Sequence, residues 1–279
     1  MTCPTVAVAF GGGGARGLAH IHVVETLDEL GLSPVRVAGA SIGAIVGAGM
    51  AAGMRGEDIR EHTLSTLGRK AVVAHRLWSL RPPSMRAAMG RGFRLGQFDL
   101  ERILRAFRPA QVPGSFEALP TPLHVSATDY YGQREVVLEA GDLFPALAAS
   151  AAIPALFMPV TVEGRIMIDG GIFNPVPYEH LMPHADIVIA VDVVGAPEGD
   201  GTHVPNRVDS LFGAGQLMMQ AAISMKLRLQ PPHIFLRPPV NRFRVLDFMK
   251  ARQILAETAV VKDELKRALD LEFEKRARS

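Results

Sequence analysis

Short apolar runs alternate with segments of helical periodicity in the first part of the chain. The run Val6–Phe10 ends at a cluster of glycines, as a buried parallel strand does. Apolar residues then recur at helical spacing over residues 18–30, and Gly31 predicts the end of that helix. A second strand is predicted at residues 35–39, with a glycine- and alanine-rich helix from Ile42 onward. This order predicts a βαβ unit with two parallel strands.

The same alternation continues through the rest of the chain. The sequence predicts strands at residues 123–129, 134–139, 187–194 and 233–236, a hairpin over 160–168 that turns at Glu163 and Gly164, and helices at 143–149, 206–229 and 246–278. Strands that alternate with helices form a mostly parallel sheet with helices on both faces. We therefore predict an α/β fold, specifically a three-layer α/β/α arrangement around one central sheet.

The chain shows no internal repeat and no low-complexity linker, so the sequence predicts a single domain over residues 1–279. Apolar residues make up 48% of the chain and charged residues 21%, which is enough for a packed core. The motifs described below fall within a core of residues 5–195, and the C-terminal helical segment, residues 246–278, carries none of them.

Composition narrows the classes of function. The formal net charge of +2 argues against nucleic-acid binding through bulk electrostatics. The single cysteine, Cys3, cannot form an internal disulfide, which favours a reducing compartment. No signal peptide is expected, and the uncharged stretches 37–54 and 144–162 contain too much glycine, alanine or proline for membrane helices. We interpret them as buried elements of a soluble, cytoplasmic protein.

Three short motifs carry the candidate chemistry. A glycine loop follows the first strand, a G-x-S-x-G sequence follows the second, and Asp-Gly-Gly follows the strand-like segment 165–168. The residues are Gly12, Gly13, Gly14, Ala15, Arg16 and Gly17; Gly39, Ser41 and Gly43; and Asp169, Gly170 and Gly171. Glycines at a strand-to-helix turn let backbone N–H groups face an anion, and G-x-S-x-G projects a serine hydroxyl out of the sheet.

The spacing of the first two motifs predicts where they meet. About two dozen residues separate the glycine loop from Ser41, enough for one right-handed crossover between neighbouring parallel strands. Both turns then leave from the carboxyl ends of their strands and face one crevice. We expect the N–H groups of Gly13 and Gly14 to form an oxyanion hole for a tetrahedral intermediate at Ser41.

Two nucleotide-binding sites compete with this interpretation of the glycine loop. Gly12, Gly14 and Gly17 match the G-x-G-x-x-G of dinucleotide sites, but such a site needs an acidic residue near the end of the second strand. The residues there are Gly39, Ala40 and Ser41. A P-loop needs Gly-Lys-Ser/Thr, which the loop also lacks. A tightly packed turn without chemistry is the third alternative, and the paired G-x-S-x-G disfavours it.

The ordered combination of motifs resembles the patatin-like phospholipase family, whose members carry G-G-G-x-R/K-G, then G-x-S-x-G, then D-G-G/A. Segments 146–160 and 169–177 also resemble the family's connecting segments, and the likeness covers residues 5–195. The resemblance implies a Ser–Asp dyad in which Asp169 takes the proton of Ser41, an acyl-enzyme forms, and water releases the acid. It also implies a lipid or acyl-ester substrate and neither a metal nor an organic cofactor.

Alternatives to a lipid hydrolase with a dyad stay open at this point. A Ser–His–Asp triad would use a histidine that follows Asp169, although no such histidine lies in a segment typical of a catalytic loop. The candidates are His180, His184, His203 and His233. The chain could also be a broad carboxylesterase or thioesterase acting on soluble acyl groups. A non-catalytic regulatory protein with the same fold is the remaining class, and an intact dyad argues against it.

Five further polar residues receive an assignment from their sequence context. Arg16 is expected to support the glycine loop or attract an anionic headgroup, with a solvated arginine at a helix start as the alternative. His20 and His22 are assigned to packing or to the surface, and Ser150 to tight packing within a run of small residues. Asn174 is expected to fix the turn after the third motif.

Two stretches lack acidic residues altogether. Residues 62–97 contain seven lysines and arginines, interleaved with Trp78, Met85, Met89 and Phe93, and residues 210–246 contain five. Such segments predict either peripheral contact with an anionic membrane surface or solvated faces above packed helices. The oligomeric state and the role of the C-terminal helix stay open.

Overall fold

The computed structural model describes residues 4–67, 100–202 and 204–278. Its strands are β1 (Val6–Phe10), β2 (Arg36–Ala40), β3 (Leu123–Asp129), β4 (Arg134–Leu138), β5 (Val160–Val162), β6 (Arg165–Asp169), β7 (Ile187–Val191) and β8 (Ile234–Leu236). Its α-helices are α1 (His20–Glu29), α2 (Ile42–Ala51), α3 (Gly56–Leu67), α4 (Leu100–Phe107), α5 (Leu143–Ser150), α6 (Arg207–Leu229), α7 (Ala251–Glu257) and α8 (Val261–Ala277). Cys3, His203 and most of the first acid-free stretch lie outside the described residues.

The described strands form one eight-stranded sheet. Its order is β5-β6-β3-β2-β1-β7-β8, and β4 pairs with β3. The pairs β1–β2, β2–β3, β1–β7 and β7–β8 are parallel, whereas β4, β5 and β6 pair antiparallel. The predicted α/β fold is therefore confirmed, with a mostly parallel, mixed sheet. The prediction of a single domain stays a prediction.

Apolar packing covers both faces of the sheet, and the central strand β1 shows how. Val6, Val8 and Phe10 point into a large core cluster that includes side chains of α1, α2, α7 and α8. Ala7 and Ala9 point to the opposite face, where they join a second cluster with side chains of α6 and of the segment before β7. Because successive strand residues alternate between faces, one continuous apolar run serves both layers of helices.

The C-terminal segment differs from its prediction as one helix over 246–278. It comprises a 3₁₀ turn at Asp247–Lys250, then α7, then α8. α7 packs against the 3₁₀ segment Gly14–Ala19 that follows the glycine loop, whereas α8 packs against α1. Two packing partners in different places require a break, and Thr258 lies in it with its hydroxyl donating to the Ile254 carbonyl (2.7 Å).

The two uncharged stretches considered for membrane insertion are parts of this core. Residues 37–54 contain most of β2 and all of α2, and residues 144–162 contain most of α5 and β5. Among the helices that the structure describes, none is both long enough and apolar enough to cross a bilayer.

Candidate active site

The pairing of two strands with β3 explains why Ser41 and Asp169 meet. β2 runs parallel to β3, and its last residue, Ala40, lies opposite Ser126. β6 runs antiparallel to β3, and its last residue, Asp169, lies opposite Ala127. Because β4 occupies the other edge of β3 along these residues, β2 and β6 share one edge and run towards each other. Their carboxyl ends meet, so Ser41 lies beside Asp169.

Ser41 and Asp169 form a direct, buried hydrogen bond. The Ser41 hydroxyl donates to Oδ2 of Asp169 at 2.7 Å, and the N–H of Gly171 donates to Oδ1 at 2.8 Å. Burial raises the pKa of Asp169 to about 6, although both hydrogen bonds act in the opposite direction by favouring the carboxylate. The pair therefore combines a hydroxyl with a carboxylate that is more basic than an ordinary aspartate.

The turn that carries Ser41 has the geometry of a nucleophile elbow. Ser41 has φ 55° and ψ −125°, a positive φ that a non-glycine residue adopts only under constraint. α2 begins at the next residue and packs closely on the end of β1, because a Cβ at Gly43 would lie 2.1 Å from the Phe10 carbonyl oxygen. Glycine at position 43 is thus required by the close approach of helix and strand.

The glycine loop lies against Ser41 and has two free donors. A Cβ at Gly12 would lie 3.4 Å from Cβ of Ser41. The N–H groups of Gly12 and Ala15 donate to backbone carbonyls elsewhere in the chain, at 2.9 and 2.7 Å. The N–H groups of Gly13 and Gly14 donate to no acceptor within the described residues. These are the two N–H groups that the sequence predicts as an oxyanion hole, and that role stays a prediction.

Arg16 is buried, which excludes its interpretation as a solvated arginine. Its side chain is 2% exposed, and its Nε and Nη1 atoms have no hydrogen-bond partner within the described residues. Burial lowers the pKa of Arg16 to about 10, and the carboxylates of Asp192 and Asp247 partly offset this effect. Arg16 is therefore charged at neutral pH, and its support of the glycine loop stays a prediction.

His20 and His22 are core residues, so the surface alternative for them is wrong. Both are buried. The Nε2 of His20 donates to the carbonyl of Gly11 at 2.8 Å, and the Nε2 of His22 donates to the carbonyl of Leu255, also at 2.8 Å. Burial lowers the pKa of His20 to about 4, so this ring is neutral at physiological pH. Its hydrogen bond holds the Gly11 carbonyl at the start of the glycine loop.

Ser150 plays a larger part than packing alone, and the sequence analysis missed it. This fully buried hydroxyl accepts the backbone N–H of Ser41 at 2.8 Å and donates to the carbonyl of Ser126 at 2.6 Å. It therefore ties the constrained serine turn to β3. The only signal in the sequence is one hydroxyl within a run of alanines.

Replacing Ser150 with alanine is expected to loosen the Ser41 turn. The buried N–H of Ser41 would lose its acceptor, at a cost of about 1–3 kcal/mol in the free energy of unfolding. Urea unfolding measures the loss, and the rate of reaction with a fluorophosphonate reports the position of Ser41. Ser224→Ala, at an exposed position of α6, is the matched control. Unchanged stability and unchanged labelling in Ser150→Ala would refute this role.

The histidines considered for a triad lie elsewhere. Within the described residues, no histidine hydrogen bonds to Ser41 or Asp169. His180 lies 3.1 Å from Oε1 of Glu135, and Nδ1 of His233 accepts the backbone N–H of Val188 at 3.0 Å. The His184 ring packs edge-on against another histidine ring. The geometry gives these three histidines no part in the serine site.

A polar cluster supports the turn after Asp169. Glu135, Glu179 and His180 place ligand atoms within 4.8 Å of one another, an arrangement that could hold a metal ion. However, the ammonium of Lys226 lies 2.5 Å from Glu179, and the Asn174 side chain donates to both carboxylates at 2.9 and 2.6 Å. Lysine already supplies the positive charge that the carboxylates need, so we assign the cluster to structural support.

Asn174 connects this cluster to the third motif. Its backbone N–H donates to the carbonyl of Gly170 at 2.9 Å, and its side-chain oxygen accepts from Lys226 at 2.5 Å. The Glu135 carboxylate raises the pKa of His180, which adds a second positive charge to the cluster at mildly acidic pH. These contacts agree with the expectation that Asn174 fixes the turn.

Comparison with known proteins identifies the family of the chain. The family model described as patatin-like phospholipase matches residues 8–182. Uncharacterized NTE family proteins of Mycobacterium bovis and Mycobacterium tuberculosis are 39% identical over 197 residues, which cover 70% of this chain and 51% of their own length. The chain thus spans about half the length of these relatives. The lysophospholipase NTE1 of Pyricularia oryzae is 27% identical over 274 residues, covering 90% of this chain and 18% of its own.

Solved structures give a more distant likeness. The structure of human GIVD cytosolic phospholipase A2 in complex with methyl gamma-linolenyl fluorophosphonate has a TM-score of 0.49 and 12% identity, over 99% of this chain and 60% of that one. The family model itself covers more than half of the chain and includes all three motifs. The chain therefore belongs to the patatin-like phospholipase family.

Proposed function

We propose that the protein is a serine-dependent lipid acyl hydrolase, with Ser41 as nucleophile, Asp169 as general base, and the N–H groups of Gly13 and Gly14 as oxyanion hole. Family membership supports acyl-lipid hydrolysis, and the direct 2.7 Å hydrogen bond from Ser41 to Asp169 carries the mechanistic part. A hydroxyl that donates directly to a buried carboxylate has its proton acceptor in place before substrate arrives.

Acylation begins when Ser41 Oγ attacks the carbonyl carbon of the ester and its proton moves to Oδ2 of Asp169. The carbonyl oxygen becomes an oxyanion that the N–H groups of Gly13 and Gly14 stabilise. One such donor contributes about 3 kcal/mol in other hydrolases. When the tetrahedral intermediate collapses, Asp169 returns the proton to the leaving alcohol oxygen, and the acyl group stays on Ser41.

Deacylation repeats these steps with water as the nucleophile. Asp169 takes a proton from the water, whose oxygen attacks the acyl carbonyl, and the same two N–H groups hold the second oxyanion. Collapse breaks the bond to Ser41 Oγ, which recovers its proton from Asp169 and releases the carboxylic acid. One carboxylate thus serves both half-reactions, and the free enzyme is regenerated with its serine–aspartate hydrogen bond.

The pKa of Asp169 predicts how activity depends on pH. The base must be ionised in the free enzyme, so kcat/KM is expected to rise with pH, to reach half its plateau near pH 6, and to fall about tenfold per pH unit below that. The pH dependence of kcat/KM for a soluble ester substrate measures this fall at acidic pH. The same fall is expected in His180→Ala, since His180 has no contact with Ser41 or Asp169. If the fall disappears in His180→Ala, the base is the histidine instead.

The substrate class is tested with a graded panel of esters. Short- and long-chain p-nitrophenyl esters, an acyl-CoA thioester, a lysophospholipid and a diacyl phospholipid separate a lipid hydrolase from a broad carboxylesterase or thioesterase. The fungal relatives are named lysophospholipases, which favours the lysophospholipid as the best substrate. Turnover of none of these substrates by the wild type would contradict the proposed function.

A further inference from the structure

A largely buried carboxylate beside the serine site accepts three hydrogen bonds on a single oxygen. Glu135 lies in β4, and its side chain is only 16% exposed. Its Oε1 atom accepts from the Ser126 hydroxyl at 2.7 Å, from the Asn174 amide at 2.9 Å and from the His180 ring at 3.1 Å. Hydrogen bonds to a carboxylate are stronger than those between neutral groups, so this oxygen holds its donors firmly. The first two donors also contact the segments that carry the candidate catalytic pair.

The first donor, Ser126, connects Glu135 to the turn that carries Ser41. The backbone carbonyl of Ser126 accepts the hydroxyl of Ser150 at 2.6 Å, and that hydroxyl accepts the backbone N–H of Ser41 at 2.8 Å. Ser126 therefore binds Glu135 through its side chain and holds the Ser41 turn through its main chain. Because Ser41 has a constrained positive φ of 55°, its position depends on such external bonds.

The second donor, Asn174, connects Glu135 to the turn that carries Asp169. The backbone N–H of Asn174 donates to the carbonyl of Gly170 at 2.9 Å, which closes the turn after Asp169. Within this turn the N–H of Gly171 donates to Oδ1 of Asp169 at 2.8 Å. Asn174 therefore helps to orient the carboxylate that would act as the base.

The register of β3 and β4 explains why one carboxylate reaches both turns. Glu135 lies opposite Thr128, and Val137 lies opposite Ser126. Because Ser126 and Thr128 are two residues apart, their side chains lie on the same face of the sheet as that of Glu135. On that face the Thr128 hydroxyl also donates to the main-chain carbonyl of Asp169 at 2.9 Å. One face of β3 thus holds the supports of both members of the pair.

The other charged groups of the cluster reach only one of the two turns. Glu179 accepts from the Asn174 side chain at 2.6 Å, and Lys226 donates to it at 2.5 Å. In the part of the chain that the structure describes, neither of them hydrogen bonds to Ser126. Loss of Glu179 or Lys226 would loosen the Asp169 turn alone, whereas loss of Glu135 would loosen the supports of both turns.

We infer that Glu135 is a positioning residue that sets the distance between the Ser41 hydroxyl and the Asp169 carboxylate. The inference rests on the proposed function, because this distance matters for catalysis only if the two groups exchange a proton. Their 2.7 Å hydrogen bond joins turns at the ends of two different strands, β2 and β6. A displacement of reacting groups by about 1 Å costs about 100-fold in rate. A carboxylate bonded to both supports limits such a displacement.

Steady-state kinetics on a soluble p-nitrophenyl ester test this role. Glu135→Ala is expected to lower kcat about 30- to 100-fold and to leave KM within about twofold, because it separates the reacting pair without changing the groups that bind substrate. Glu135→Gln keeps an oxygen that can accept from Ser126 and Asn174, so it should recover most of the loss.

The matched control is Glu139→Ala. Glu139 directly follows β4 and also pairs with a histidine, His124, at 2.8 Å. Because β4 runs antiparallel to β3, this end of β4 points away from the edge where Ser41 and Asp169 lie. Glu139→Ala should therefore have the kcat of the wild type.

Labelling with an alkyl fluorophosphonate gives a second readout that does not require turnover. The rate of adduct formation on Ser41 should fall in Glu135→Ala along with kcat, while circular dichroism shows a folded protein. If Glu135→Ala does not fold, Ser126→Ala replaces it, since this change removes only the hydroxyl that donates to Glu135. Ser126→Ala is expected to lower kcat about tenfold, and an unchanged kcat in this variant would overturn the inference.

Three other results would also overturn the role of Glu135: a kcat of folded Glu135→Ala within threefold of the wild type, an equal loss in Glu139→Ala, or a loss in Glu135→Gln as large as in Glu135→Ala. A wild type that hydrolyses no ester would contradict the proposed function instead. The labelling rates of the variants would then still measure whether Glu135 positions Ser41.

Discussion

Ser41→Ala is expected to lower kcat/KM for every ester substrate by about four orders of magnitude or more, while the protein stays folded. The substitution removes only the hydroxyl oxygen, so the constrained backbone of the turn and its hydrogen bond to Ser150 can remain. What is lost is the atom that would form the acyl bond. Initial rates on a p-nitrophenyl ester measure the effect, and circular dichroism checks the fold.

Ser224→Ala provides the comparison for this result, because Ser224 is exposed on α6 and forms no bond to the acyl group in the proposed mechanism. Activity in Ser41→Ala within tenfold of the wild type would contradict the assignment of the nucleophile. It would also direct attention to a water-based mechanism in which Asp169 alone activates the attacking water.

Asp169→Asn is expected to lower kcat by about three to four orders of magnitude. Among the substitutions considered, only Ser41→Ala is expected to have a larger effect on activity. The asparagine keeps the size of the side chain and an oxygen for the N–H of Gly171, but it cannot take the proton of Ser41. Because both residues act on one proton transfer, the double variant with Ser41→Ala should be no slower than Ser41→Ala alone. Losses that add in the double variant would show that the two residues act independently.

The same substitution should stabilise the protein at neutral pH, which separates loss of chemistry from loss of structure. The pKa of Asp169 is raised from 3.8 to about 6 in the folded state, so its contribution to stability is fully present below pH 3.8 and is lost as the pH rises through about 6. That difference corresponds to about 3 kcal/mol. Asp169→Asn should therefore unfold at higher urea concentration than the wild type at pH 8, with little difference at pH 4.

Sequence reasoning can locate the three motifs because each depends on local chain geometry. A positive φ or a close backbone approach favours glycine. The G-x-S-x-G motif identifies its serine, Ser41, directly as the candidate nucleophile. The parallel pairing of β1 and β2 also follows from the length of the segment between them. For these reasons the α/β fold and the candidate site residues can be stated before any coordinates.

The sequence alone does not show that Ser41 and Asp169 lie side by side. Their proximity depends on the register of β2 and β6 along one edge of β3, and register is a long-range property. The resemblance to a family implies that Ser41 and Asp169 act together. The pairing of β2 and β6 with β3 gives the physical reason why the two residues meet. Ser150 was missed for a similar reason, because its partners Ser41 and Ser126 are distant in the chain.

Two further points required tertiary information. The solvated alternative for Arg16 is wrong because its side chain is buried, and sequence context alone could not decide between that alternative and a role beside the glycine loop. The helix predicted over 246–278 breaks near Thr258 because its halves pack against different neighbours, which helical periodicity alone does not reveal. The membrane interpretation of residues 62–97 stays a prediction, since residues 68–99 lie outside the described residues.

Covalent labelling tests the central claim most directly. The protein is treated with an alkyl fluorophosphonate at pH 8 and at pH 5, and intact mass and peptide mapping then count and locate the adducts. The mechanism predicts one adduct per chain, on Ser41, formed more slowly at pH 5 because Asp169 is then largely protonated. An adduct on another residue, or no adduct on a folded wild-type protein, would contradict the assignment of Ser41 and Asp169 as the reacting pair.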